Sequence, residues 1–239
     1  MKFTLTALAV AALVCGVVSG SSQAQTVLYD ANSGVNSSGS FSSATGGPGQ
    51  HYLQQITLAG GAPSYTLTSF PVFGVRWNDI TTAPQDIFLD FYTGVDLSTS
   101  STNALASATK FASTGFQLSS PGANGSYNYT LTLNTPITTP SATFAIEVTM
   151  TNGAGNAYAT GIAYRLSTGG APTVGSNPGF VWIDTNANGI FTGAEQSASP
   201  TNIRMTISGS AVPEPSAAAL AALGSIGVLF GARRLRRRR

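Results

Sequence analysis

The chain holds one cysteine, Cys15, and one histidine, His51. Cys15 lies in an apolar N-terminal run that reads as an export leader, so the mature protein has no cysteine. That excludes disulfides, a thiol nucleophile paired with histidine, and a zinc site built from Cys and His ligands. The core must stand on packing alone. Charge is scarce as well: 8% of residues are Asp, Glu, Lys or Arg, against about a quarter in ordinary globular proteins. The formal charge of +2 hides a segregation. Six of the eleven cations are Arg233, Arg234 and Arg236 to Arg239, and Lys2 is another. Between the ends only Arg76, Lys110, Arg165 and Arg204 face eight acids, so the body carries −4. Nucleic-acid binding needs a basic face, and this body has no charge run that supplies one. Disorder needs low hydrophobicity, whereas 42% of this chain is hydrophobic.

The two ends read as addresses. In "MKFTLTALAVAALVCGVVSGSSQAQ" Lys2 supplies the positive start and residues 3–18 an apolar run. Ser22-Gln23-Ala24 is a small-x-small cleavage site, which makes 1–24 a signal peptide cut after Ala24. The alternatives are an uncleaved anchor, or a lipoprotein cut at Cys15, which Val14 in the preceding position disfavours. At the other end residues 216–232 carry no charge. As a helix they span about 26 Å, just short of a hydrocarbon core of about 30 Å. Arginine snorkelling makes up the difference. The Arg-rich tail 233–239 would stay in the cytoplasm, leaving the body outside. The competing reading is a buried helix with a basic nucleic-acid tail, which the one-sided charge disfavours.

Val212-Pro213-Glu214-Pro215 precedes that helix. Its prolines lack the N–H that a helix or central strand needs, so it reads as an extended, exposed spacer. Val-Pro-Glu-Pro, a short Ala/Gly/Leu-rich helix and a terminal arginine cluster together resemble the tripartite PEP-CTERM sorting signal. The resemblance covers 212–239 and implies a sorting signal in which Val212, Pro213, Glu214, Pro215, Arg233, Arg234 and Arg236 take part. It implies recognition by an exosortase, a membrane-embedded enzyme with a cysteine-protease-like site, and removal of the tail. It also implies a Gram-negative-type host that makes extracellular polysaccharide. It says nothing about the body, since such signals are attached to unrelated domains.

Residues 25–211 show period-2 alternation, the mark of half-buried strands. "SYNYTLTLN" sets Tyr127, Tyr129, Leu131 and Leu133 against Asn128, Thr130, Thr132 and Asn134. "TFAIEVTMT", "NIRMTIS", "SYTLTSF" and "DIFLDFYTGV" repeat the pattern. Weaker strands are expected at 26–29, 53–58, 72–77, 115–118, 159–166 and 180–184. With no amphipathic helix between them, about ten or eleven strands predict an all-β, antiparallel two-sheet sandwich, jelly-roll-like, as one domain. The Ser/Gly-rich stretch 31–49 reads as a long loop. The full expectation adds the N-terminal signal peptide and one C-terminal transmembrane helix.

"DTNANGIFTGAE" has site-like spacing. Asp184, Asn186, Asn188, Ile190 and Glu195 fall at ligand positions 1, 3, 5, 7 and 12 of an EF-hand-type calcium loop, with Gly189 at the turn. Only two donors are charged, and the flank "GFVWI" is strand-like, so the other reading is a β-hairpin turning at Asn-Gly. Trp77 and Trp182, with Tyr52, Tyr92 and Phe191, could form a platform that stacks on sugar rings; the other reading is sandwich core. Asp79, Asp86, Asp90, Glu147 and Glu195 could in principle supply the two carboxylates a glycosidase needs, yet carboxylates on an exported surface are accounted for by solubility. No nucleophile elbow is visible.

The chain is therefore read as a non-enzymatic exported protein of the cell envelope, surface or extracellular matrix, with a structural or adhesive role. The alternative is a polysaccharide-binding module of the secreted matrix, and behind it a glycoside hydrolase. No cofactor is expected except calcium at the 184–195 loop. The expected partners are the sorting enzyme, the membrane through the tail helix before processing, and extracellular polysaccharide; nucleic acid is excluded.

Overall fold

Alternating apolar residues decide the architecture, because each strand can bury only one of its faces. A computed structural model describes residues 25–32, 51–77, 85–98, 102–152, 162–164, 166–168, 171–184, 188–196 and 201–212. The strands are β1 (Thr26–Asp30), β2 (His51–Thr57), β3 (Tyr65–Trp77), β4 (Gln85–Thr93), β5 (Thr109–Leu118) and β6 (Gly125–Thr139). They continue with β7 (Thr143–Asn152), β8 (Ile162–Tyr164), β9 (Leu166–Thr168), β10 (Trp182–Asp184), β11 (Thr201–Ile203) and β12 (Met205–Ala211). A 3-10 turn covers Gly193–Glu195. Residues 25–212 form one compact unit.

The fold is all-β and sandwich-like, with two antiparallel sheets. Sheet A has the order β1-β12-β3-β6, with β8 added on β3; sheet B has the order β10-β2-β7-β4-β5; β9 and β11 make a separate pair. The inner faces share one core. Leu67, Phe70, Phe73, Val75 and Trp77 of β3 and Ile207 of β12 belong to the same buried cluster as Ile56, Leu89, Phe91, Ile146 and Val148 of sheet B. Phe91 and Phe144 pack at 6.1 Å between ring centroids, and Phe91 reaches Phe70 of the opposite sheet at 6.4 Å.

Three strand expectations change. The stretches 64–70 and 72–77, read as two strands around Pro71, form one thirteen-residue strand, Tyr65–Trp77. Its register with β6 is irregular between Phe70 and Phe73. A bulge there means that no ladder donor is demanded of Pro71. "NIRMTIS" and 159–166 each divide, into β11 with β12 and β8 with β9, because their two halves pair with different neighbours. Among the described residues no helix is long and apolar enough to cross a membrane. The signal peptide, the loop 33–49 and the tail helix 216–232 lie outside the described residues.

A polar network ties the two sheets together. Gln54 of β2, fully buried, donates to Asn202 Oδ1 at 3.2 Å and accepts from the Ile203 N–H at 2.8 Å. Asn177 donates to the Tyr29 hydroxyl at 2.7 Å and also to Asn202. Burial of Tyr29 holds its phenol protonated well above its ordinary range. Where Thr173 to Gly175 passes β1, Gly175 adopts φ +74°, and a Cβ there would stand 2.6 Å from the Thr57 carbonyl. Only glycine fits that approach.

Candidate functional site

The outer face of sheet B carries most of the candidate chemistry. Trp182 pairs across to Leu53, and Leu53 to Glu147; Glu147 in turn faces Asp90. Trp182, Leu53 and Ala145 do not meet solvent. They form a second small core with Ala104 and Phe191, which come from two loops folded over this face. Ala104 N–H donates to the Phe191 carbonyl at 2.7 Å, binding those loops to each other.

This arrangement corrects the sugar-platform expectation. Trp77 and Trp182 are 0% and 1% exposed, and Tyr52 and Phe191 are buried too. A stacking platform needs an open ring face, and neither tryptophan offers one. Trp77 lies in the main core, where its indole N–H donates to Tyr129 at 2.8 Å. Trp182 lies edge-on to Phe180 at 4.7 Å. Phe88 of β4 is open on this face, 43% exposed and set across from Gly115. Its outward position in the alternation of β4 was the signal that could have identified it.

The 184–195 loop is built around its carboxylates. Asp184 is fully buried, and its two oxygens accept from the Asn188 N–H at 3.2 Å and the Gly189 N–H at 2.7 Å. Asn188 Oδ1 accepts from the Ile190 N–H at 2.8 Å. Glu195 Oε2 accepts from Thr192 N–H at 2.9 Å and from its hydroxyl at 3.2 Å. Gly189 turns the chain at φ +72°, and Trp182 bridges antiparallel to Gln196, closing the excursion. Asn186 lies outside the described residues. Among the described residues no group of three His, Asp or Glu side chains is placed to hold a metal ion.

Sequence reading missed a polar cluster at the rim of the outer core. His51 Nδ1–H donates to Glu147 Oε1 at 2.7 Å, and the Tyr92 hydroxyl donates to Glu147 Oε2 at 2.9 Å. Lys110 pairs with Asp90 at 3.2 Å beside them. The hydrogen bond to Glu147 raises the His51 pKa above its ordinary value, against an opposing effect of burial. Burial and then Glu147 raise the Tyr92 phenol. The carboxylate is thus committed to two donors, and the cluster is a hydrogen-bonded staple across β2, β7 and β4. Of the proposed glycosidase carboxylates, the structure sets Asp90 and Glu147 on facing positions, Asp86 elsewhere on β4, and Glu195 in its own turn; Asp79 lies outside the described residues.

The sorting residues begin where the fold stops. Ala211 is the last paired residue of β12, opposite Tyr65. Pro213, Glu214, Pro215, Arg233, Arg234 and Arg236 lie outside the described residues. Comparisons of the chain with protein families, curated proteins and solved structures find no match.

Proposed function

We propose that this is an exported protein of the bacterial envelope or extracellular matrix with a structural or adhesive role, not a catalytic one. It is directed there by its two ends. The observation that carries the reading is the order at the C-terminus: Val212-Pro213-Glu214-Pro215, an uncharged stretch 216–232, then Arg233 to Arg239. In this reading residues 1–24 are a cleaved signal, 216–232 a transmembrane helix that holds the chain temporarily, and an exosortase-type enzyme removes the tail. Pro213 and Pro215 suit an extended spacer, since neither can donate to a ladder.

The body supports the reading by its strand order. The order β1-β12-β3-β6 in one sheet and β2-β7-β4-β5 in the other supports the jelly-roll-like reading of the body. Such a domain, free of cysteine in its mature form, needs no redox machinery outside the cell. The intact mass of the protein recovered from its native host tests the proposal. A species starting near Gln25 and ending between Val212 and Pro215 is expected. A species that keeps Arg233 to Arg239 would make the tail a permanent anchor and overturn the sorting claim.

A further inference from the structure

Sheet A places one of the scarce cations, Arg76, on its outer face. Val75 and Trp77 point into the core, so Arg76 between them leaves on the outer side. Arg204, between β11 and β12, is half-buried, and its Nε is closed off from solvent. Gly74 N–H donates to the Arg204 carbonyl at 2.9 Å, which sets Arg204 opposite Gly74 and two positions from Arg76. Such diagonal neighbours have backbones about 7 Å apart. Arg76 is therefore the cation that this patch presents outward. Lys110 is across the sandwich, paired with Asp90.

A cleft of about 290 Å³ opens beside this patch, lined by Arg76, Trp77, Asn124 and Gly125. The Arg76 guanidinium has no ion-pair or hydrogen-bond partner among the described residues. Its cross-strand neighbour is Ser126, and Gly74 faces Asn128. Ser126, Asn128 and Asn124 are exposed. On the β6 side the described residues around the guanidinium are thus hydroxyl and amide.

We propose that this cleft is an anion-binding site that takes a carboxylate group of an acidic saccharide chain. A guanidinium presents a planar fork that matches a carboxylate with two hydrogen bonds. The amides of Asn124 and Asn128 and the hydroxyl of Ser126 suit sugar hydroxyls. A polyphosphate or nucleic acid is a poorer fit, because its affinity comes from many simultaneous cation contacts, and the body carries −4 overall. The inference goes beyond the export reading, which concerns only where such a ligand would be met.

The test is binding in solution, so it fails or succeeds independently of tail processing. The tail arginines would themselves attract polyanions, so the full chain is used with Arg233, Arg234 and Arg236 to Arg239 changed to Gln. The probes are oligogalacturonate, neutral dextran and acetate. Binding of oligogalacturonate is expected to shift the NMR signals of the Trp77 indole and the Asn124 amide, and to weaken with added salt. Arg76→Gln is expected to lose about ten-fold in affinity, with Arg76→Lys in between. Asn124→Ala, in an exposed loop, is expected to weaken binding by about three-fold and stands as the second variant should Arg76→Gln disturb the fold. Dextran binding as tightly as oligogalacturonate, acetate reproducing the full affinity, or unchanged binding in the Arg76 and Asn124 variants would each overturn the proposal.

Discussion

Val212 donates its N–H to the carbonyl of Ser64 at 2.9 Å, and the next residue, Pro213, has no N–H to donate. The ladder between β12 and β3 thus reaches its last rung one residue before the first proline. A chain ending at Val212 keeps every hydrogen bond among the described residues. Its thermal midpoint should match that of the full chain when both are held in mild detergent. A midpoint lower by several degrees would show that residues after 212 contribute to the fold.

His51 reports pH through Glu147. Its folded pKa is raised above the ordinary value of 6.5 by the hydrogen bond to Glu147. The charged imidazole is thus favoured by the fold. Its contribution is complete below about pH 6.5 and is lost as pH rises through the raised folded value. His51→Gln should therefore cost more stability near pH 6 than near pH 9. Urea unfolding of both proteins at the two values checks this. An equal gap at both would remove the coupling.

Gln54 connects the sheets through groups that water does not reach. Gln54→Leu keeps the volume but leaves the Ile203 N–H without its acceptor and deprives Asn202 of one donor. The cost should be about 1–3 kcal/mol, read as a shift in unfolding midpoint at unchanged denaturant slope. A neutral result would mean that the Ile203 amide finds another acceptor.

The sequence made the strands legible where alternation was strong. Tyr127 to Leu133, Phe144 to Met150 and Ile87 to Phe91 have the inward and outward faces their pattern predicts. It was weaker wherever pairing decides. Pro71 reads locally as a break, but a register irregularity carries β3 past it. His51 and Glu147 are 96 positions apart, and only strand register brings them together. Trp182 has the same local sequence signal whether a sheet face is bare or covered. The loops bearing Ala104 and Phe191 cover it, and that is a tertiary fact with no local signature.

The 184–195 loop offers the last test, because its donors are already engaged. A calcium ion would have to share the Asp184 oxygens with the Asn188 and Gly189 amides, and Glu195 Oε2 with Thr192. The Asn188 and Gly189 amides lie at an exposed turn, so releasing them to water costs only about 1 kcal/mol each, but a loop with only two charged donors binds calcium weakly. Millimolar calcium should therefore leave the thermal midpoint unchanged. Asp184→Ala should destabilise by about 1–3 kcal/mol with or without calcium, and Asp184→Asn less, since its amide oxygen still accepts one N–H. A midpoint that rises by several degrees in calcium, and no longer does so in Asp184→Asn, would mean that the loop rearranges around the ion and that its carboxylates serve as ligands rather than as caps.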